Sequence, residues 1–198
     1  MPSGGPQGHG VVFYSCDDDL AGQVTEYLLG AMQAGGVGVT LATAAHRAAI
    51  EERLEQAGVN LMAARAHGSY VALDAEEIMS RFMINGFADP AGFWGALSPV
   101  IKNATMHHGN IAIFGEMVAL LWDRDLASAA VDLEALWNEL ASQYSFSLLC
   151  AYPADVLRSS EHADELLDMI AAHTHRGAQG SGGEEALARS SADPLGDA

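Results

Sequence analysis

Val37-Gly-Val-Thr-Leu-Ala-Thr43 is an apolar run without polar alternation, and a helical stretch from Ala44 to Ala57, stopped by Gly58, follows it at once. A run of this kind suits a strand covered on both faces, because neither side of it meets water. Four further stretches share the character: Val11-Val-Phe-Tyr14, Tyr70-Val-Ala-Leu73, Asn110-Ile-Ala-Ile-Phe114 and Phe146-Ser-Leu-Leu-Cys-Ala-Tyr152. Helical patterns fill the intervals. Asp17, Asp18 and Asp19 cap and charge the opening of a helix that reaches Ala34, since carboxylates accept the free N–H groups there. Asp74 stands before Glu76, Glu77 and an apolar stripe of Ile78, Met79 and Phe82, which reads as a capped start. Pro90 opens a helix towards His107, stopped by Gly109; another follows Gly115; the last, from Leu126 to Tyr144, repeats apolar residues at three- and four-residue spacing. The alternation predicts an α/β fold in three layers, a mostly parallel five-stranded sheet with helices on both faces.

A parallel sheet carries its ligands beyond the carboxyl ends of the strands, where connections diverge to opposite faces. The residues predicted there are Tyr14, Ser15 and Asp17 after the first strand, Thr43 and His46 after the second, Asp74 after the third and Glu116 after the fourth. Tyr152 ends the fifth run, and Trp122 is a candidate apolar liner, with burial in the core as its other reading.

The chain has 198 residues, 9 Lys+Arg against 26 Asp+Glu, a formal charge of -17, 49% hydrophobic residues and two cysteines. That length suits one domain able to bury a core without staples. The negative balance, with no basic cluster, argues against nucleic acid or an anionic membrane as partner. Two cysteines are too few for a secreted disulfide scaffold, so the expectation is a cytoplasmic protein. Residues 1–8 read as a flexible leader, 9–176 as one body, and 177–198, rich in Gly, Ser and acids, as a disordered tail. Tyr27 to His46 lacks charged residues for the length of a bilayer crossing, yet Gly35-Gly36 divides it into a helix end, a turn and a strand.

The turn Ser15-Cys-Asp-Asp-Asp-Leu20 is informative for what it omits. A nucleotide-hydrolysing relative of such a fold would place glycines and a Lys-[Ser/Thr] pair there to cradle phosphates. Three carboxylates repel phosphate instead; they serve as helix caps or as ligands. Glu116 either binds a polar group, acts as a base if burial raises its pKa, or caps its own helix. Leu133-Glu-Ala-Leu-Trp-Asn-Glu-Leu140 is a packed helix with Glu134 and Asn138 four apart on an acidic, solvated face. Among the histidines, the adjacent His107 and His108 point apart on a helix, and His173-Thr-His175 abuts the tail, so no metal is predicted. His46 lies at a helix N-terminus, which disfavours its protonated form. Cys16 and Cys150 read as two buried, inert thiols.

Taken in order, His9-Gly-Val-Val-Phe-Tyr14, Ala42-Thr-Ala-Ala-His-Arg47, Tyr70-Val-Ala-Leu-Asp-Ala75, Phe114-Gly-Glu-Met-Val-Ala-Leu-Leu-Trp122, Leu133-Glu-Ala-Leu-Trp-Asn-Glu-Leu140 and Ser147-Leu-Leu-Cys-Ala-Tyr-Pro153 resemble the MEDS domain, the methanogen/methylotroph DcmR sensory domain. The resemblance implies a degenerate KaiC/RecA-like α/β fold without its phosphate loop. It also implies a sensory role, since relatives stand beside DNA-binding or histidine kinase modules and are proposed to sense small organic molecules. Three positions depart from the family pattern: Gly36 replaces a Glu, Ala112 an Arg, and Ser69 an Arg. If the missing Glu and Arg pair in relatives, their joint loss leaves no orphan charge; if instead they bind ligand there, this copy is altered or silent.

The predicted function is therefore a non-catalytic sensory and signalling domain. It binds a small organic ligand through Tyr14, Ser15, Asp17, Thr43, His46, Asp74, Glu116 and Trp122, takes no cofactor, and regulates a separate kinase, anti-sigma or transcription-factor type partner. Self-association stays open. The competing readings are a ligand-free interaction module docking through acidic faces and an enzyme using Glu116 with Asp74 or His46.

Overall fold

In the computed structural model, which describes residues 8–107 and 109–154, all five apolar runs become strands of one sheet. Numbered in chain order, they are β1 (His9–Tyr14), β2 (Val37–Ala42) and β3 (Tyr70–Asp74), then, after a hairpin of β4 (Met83–Ile84) and β5 (Phe87–Ala88), β6 (Ile111–Gly115) and β7 (Ser147–Pro153). The spatial order is β1-β7-β6-β2-β3. Every pairing within this sheet is parallel.

The helices are α1 (Asp17–Gln33), α2 (Ala44–Gln56), α3 (Leu61–Ala66), α4 (Ala75–Ser80), α5 (Pro90–His107), α6 (Met117–Trp122) and α7 (Ala127–Gln143). They divide by order along the chain. Val39, Leu41, Ile111, Ile113, Leu148 and Cys150 face the cluster built by α4–α7. Their neighbours Ala42, Ala112, Phe114, Leu149 and Ala151 face α1–α3. Successive strand side chains point to opposite faces, so burial on both faces explains why these runs contain so few polar residues. Trp137, 1% exposed, anchors the larger core edge-on to Phe93 at 5.4 Å and Phe146 at 6.2 Å between ring centroids, a geometry that aligns ring edges with π faces.

Several local features differ from the sequence reading. The three aspartates occupy the first turn of α1, but the capping position is Cys16 and makes no side-chain cap. Asp19 instead accepts the Ser15 N–H at 3.1 Å, and Asp18 pairs with Arg53. The helix expected to carry Phe82 stops at Ser80. Asn85 and Gly86 follow with φ of 52° and 84°, the two left-handed residues of a type I′ hairpin turn. Helix α3 was not foreseen; it is six residues long, and Asn60 caps it by accepting the Ala63 N–H at 2.9 Å. Cys16 is exposed, so only Cys150 is a buried thiol. Glu134 is 3% exposed, which places it inside the protein and not on a solvated face.

Residues 1–7, the 177–198 tail, His108, His173 and His175 lie outside the described residues. Among the described residues no helix is long and apolar enough to cross a membrane. The uncharged stretch from Tyr27 resolves into the end of α1, a turn and β2.

That turn is tightly specified. Gly35 adopts φ 77°, its N–H reaches the Met32 carbonyl at 3.0 Å and the Gly36 N–H reaches Ala31 at 2.9 Å, the paired bonds of a Schellman ending. A Cβ on Gly36 would lie 2.4 Å from the Asn110 carbonyl oxygen and 2.9 Å from that of Ala31. Both obstacles are backbone and cannot rotate away. Gly36→Ala is expected to destabilise the domain by about 1–3 kcal/mol, the usual cost of overpacking, read as a lower denaturant midpoint with an unchanged m-value.

Candidate functional site

Strands β2 and β6 are neighbours in the sheet, yet their outgoing connections part. The chain leaves β2 for α2 on one face and leaves β6 for α6 on the other. Adjacent strands whose connections diverge open a crevice at their carboxyl ends. Glu116 stands in it. Its N–H donates to the Leu41 carbonyl at 2.9 Å, continuing the ladder past the end of β6 and fixing where its side chain emerges.

The Glu116 side chain does not cap its own helix. It reaches across the crevice to the start of α2, where Oε2 accepts the Thr43 N–H at 2.8 Å and Oε1 lies 2.5 Å from His46 Nδ1. Thr43 Oγ1 in turn accepts the His46 N–H at 3.5 Å. The carboxylate is 5% exposed, so this contact is shielded from water. On its other ring nitrogen His46 meets Asp17, with Nε2 3.5 Å from Oδ1, and the Tyr14 ring stands edge-on to the imidazole at 6.4 Å between centroids.

This pairing reverses one expectation. The His46 pKa is raised, chiefly by its hydrogen bond to Glu116, with burial opposing and the Glu116 and Asp17 charges assisting. A helix N-terminus disfavours a cation by about 0.3–1 kcal/mol, while a hydrogen bond to a charged group contributes about 1.5–3 kcal/mol. The carboxylate wins.

The remaining candidates are placed differently. Ser15 is exposed beside this group and engages Asp19 through its backbone N–H. Asp74 Oδ2 lies 3.0 Å from an Arg47 guanidinium nitrogen while Oδ1 accepts the Glu77 N–H at 3.0 Å, so its carboxylate joins α2 to the start of α4. Trp122 is buried in the core on the α4–α7 side, whereas His46 belongs to α2 on the other. Tyr152 donates to Glu134 at 3.2 Å inside the core. Tyr14, Asp17, Thr43, His46 and Glu116 thus converge. Arg47, next to His46 in sequence, was missed; its position in the first turn of α2 was the available signal.

A three-layer α/β domain whose five-stranded sheet is parallel throughout, with a polar cluster at its switch point, defines the structural class. Residues 8–174 match the MEDS domain, the methanogen/methylotroph DcmR sensory domain, and the chain belongs to that family. Its role is accordingly sensory. A comparison with curated proteins finds no match.

A histidine whose folded-state pKa lies above its unfolded value stabilises the fold fully below that unfolded value, here the ordinary 6.5, and loses the contribution as pH rises through the raised value. Glu116→Gln is expected to return the His46 titration, followed by ring-proton NMR, towards 6.5. Its stability deficit relative to the parent should be larger just below that pH and shrink on the alkaline side of the parent's His46 titration.

Proposed function

We propose that this sensory domain is non-catalytic and binds a small, neutral organic molecule carrying a hydrogen-bond acceptor at the carboxyl edge of its sheet. The observation that carries the reading is the His46–Glu116 contact at the switch point, 2.5 Å long, with Asp17 only loosely placed at the rim. His46 lies between two carboxylates, so as the imidazolium it donates from both ring nitrogens. The Nδ1–H is held by buried Glu116; the Nε2–H is directed at an exposed Asp17 whose place an incoming oxygen can take. Tyr14 supplies an apolar wall. Asp17, Asp18 and Asp19 disfavour an anionic ligand at the same rim.

The same geometry supports a non-catalytic reading. A general base needs a free lone pair, and both His46 ring nitrogens face carboxylates, Nδ1 that of Glu116 at 2.5 Å and Nε2 that of Asp17 at 3.5 Å. Pairing Glu116 with Asp74 as acid and base finds no support either, because Asp74 is engaged with Arg47 and with the start of α4. A ligand that displaces Asp17 changes how the start of α1 is held. Differential affinity for the two arrangements is what would shift the equilibrium seen by a kinase, anti-sigma or transcription-factor type partner.

The test is a thermal-shift panel of short alcohols, ethers and ketones, beside native mass spectrometry of the purified protein. A true ligand present at a hundredfold excess over Kd should add about 2.7 kcal/mol of stability, and His46→Ala should abolish the shift. A flat panel with no retained mass, in a protein that still captures its partner, would overturn the reading in favour of a ligand-free interaction module.

A further inference from the structure

A second cluster lies away from the switch point, between the sheet and α7. His9 at the start of β1, Glu134 on α7 and Cys150 in β7 each direct one donor atom into a common space, and the three donors lie within 4.8 Å of one another. His9 Nε2 is 3.3 Å from Cys150 Sγ and 3.4 Å from Glu134 Oε2. We propose that these three side chains form a binding site for a divalent transition cation of the zinc type, with a fourth position left for water or another small ligand.

The spacing is what such an ion requires. Bond lengths of about 2.3 Å to sulfur and 2.0–2.2 Å to nitrogen or oxygen, set tetrahedrally, separate N from S by about 3.6 Å and N from O by about 3.4 Å. The cluster matches both to within a few tenths of an ångström. Thiolate, imidazole and carboxylate together select borderline cations over magnesium or calcium, which prefer all-oxygen shells.

The supporting residues have the roles that ligand-orienting neighbours have in metal sites. Asn138 Oδ1 lies 3.1 Å from His9 Nδ1; in the tautomer protonated on Nδ1 that oxygen accepts, and Nε2 has a lone pair to give a cation. Tyr152 donates to Glu134 Oε1 at 3.2 Å, holding the carboxylate with Oε2 turned towards His9 Nε2. Burial, and then the charge of Glu134, push the Cys150 thiol well above its ordinary pKa. A divalent cation reverses that balance: Cys150 releases its proton to solvent as the sulfur–metal bond forms. The carboxylate and the thiol are 3% and 1% exposed, and Cys150 hydrogen-bonds Glu134.

The experiment is a titration of the reduced, full-length protein with Co2+ alone, followed by displacement with Zn2+. Stoichiometric binding with a near-ultraviolet sulfur-to-cobalt band is expected. Cys150→Ser should remove the band while Cys16→Ser keeps it, which separates this site from the exposed thiol. Asn138→Ala, at an exposed position of α7, should fold as the parent does by circular dichroism and bind Co2+ about 10–100-fold more weakly. No band in the parent, a band that survives Cys150→Ser, or parental affinity in Asn138→Ala would each overturn the proposal.

Discussion

The carboxylate of Glu116 is the point on which the carboxyl edge of the sheet depends. A buried carboxylate is tolerated only when its oxygens are satisfied, and here both are, by the Thr43 N–H and by His46. Those partners belong to α2, on the opposite face of the sheet from the helix that Glu116 precedes. One side chain therefore ties together the two connections that the topology drives apart. Removing it leaves the Thr43 N–H without its acceptor and His46 with only the exposed Asp17 as counter-charge.

The rim of the crevice is built on the opposite principle. Asp17, Asp18 and Asp19 are exposed in the first turn of α1, where ion pairs contribute little against solvent screening. The interior contact is short and shielded, with Glu116 Oε1 2.5 Å from His46 Nδ1, whereas Asp17 meets Nε2 at 3.5 Å from an exposed position.

Gly36 and Ala112, singled out in the sequence, have a structural context of their own. Gly36 lies against the Asn110 carbonyl with no room for a side chain, and Ala112, two residues beyond Asn110, is buried beneath the α1–α3 layer at 2% exposure. Both positions are neutral here. A longer acidic side chain at Gly36 would require the turn after α1 and the entry to β6 to move together.

Which segments become strands and helices, and that the sheet is parallel and covered on both faces, was determined by the sequence itself, because continuous apolar runs and capped amphipathic stretches report local burial directly. The strand ends named the residues of the crevice for the same reason: Thr43, His46 and Glu116 each follow a run that had to be a strand. Short elements escaped because six residues give too few turns for periodicity to show, as in α3, although Asn85-Gly86 carried a legible hairpin signal. Only the tertiary structure decided which candidates meet. Strand order set Glu116 beside α2, gave Asp74 to Arg47, and left Trp122 in the core. It also brought His9 to Cys150 across 141 residues, a contact no local spacing encodes, since such proximity comes from the order in which strands pair along the sheet.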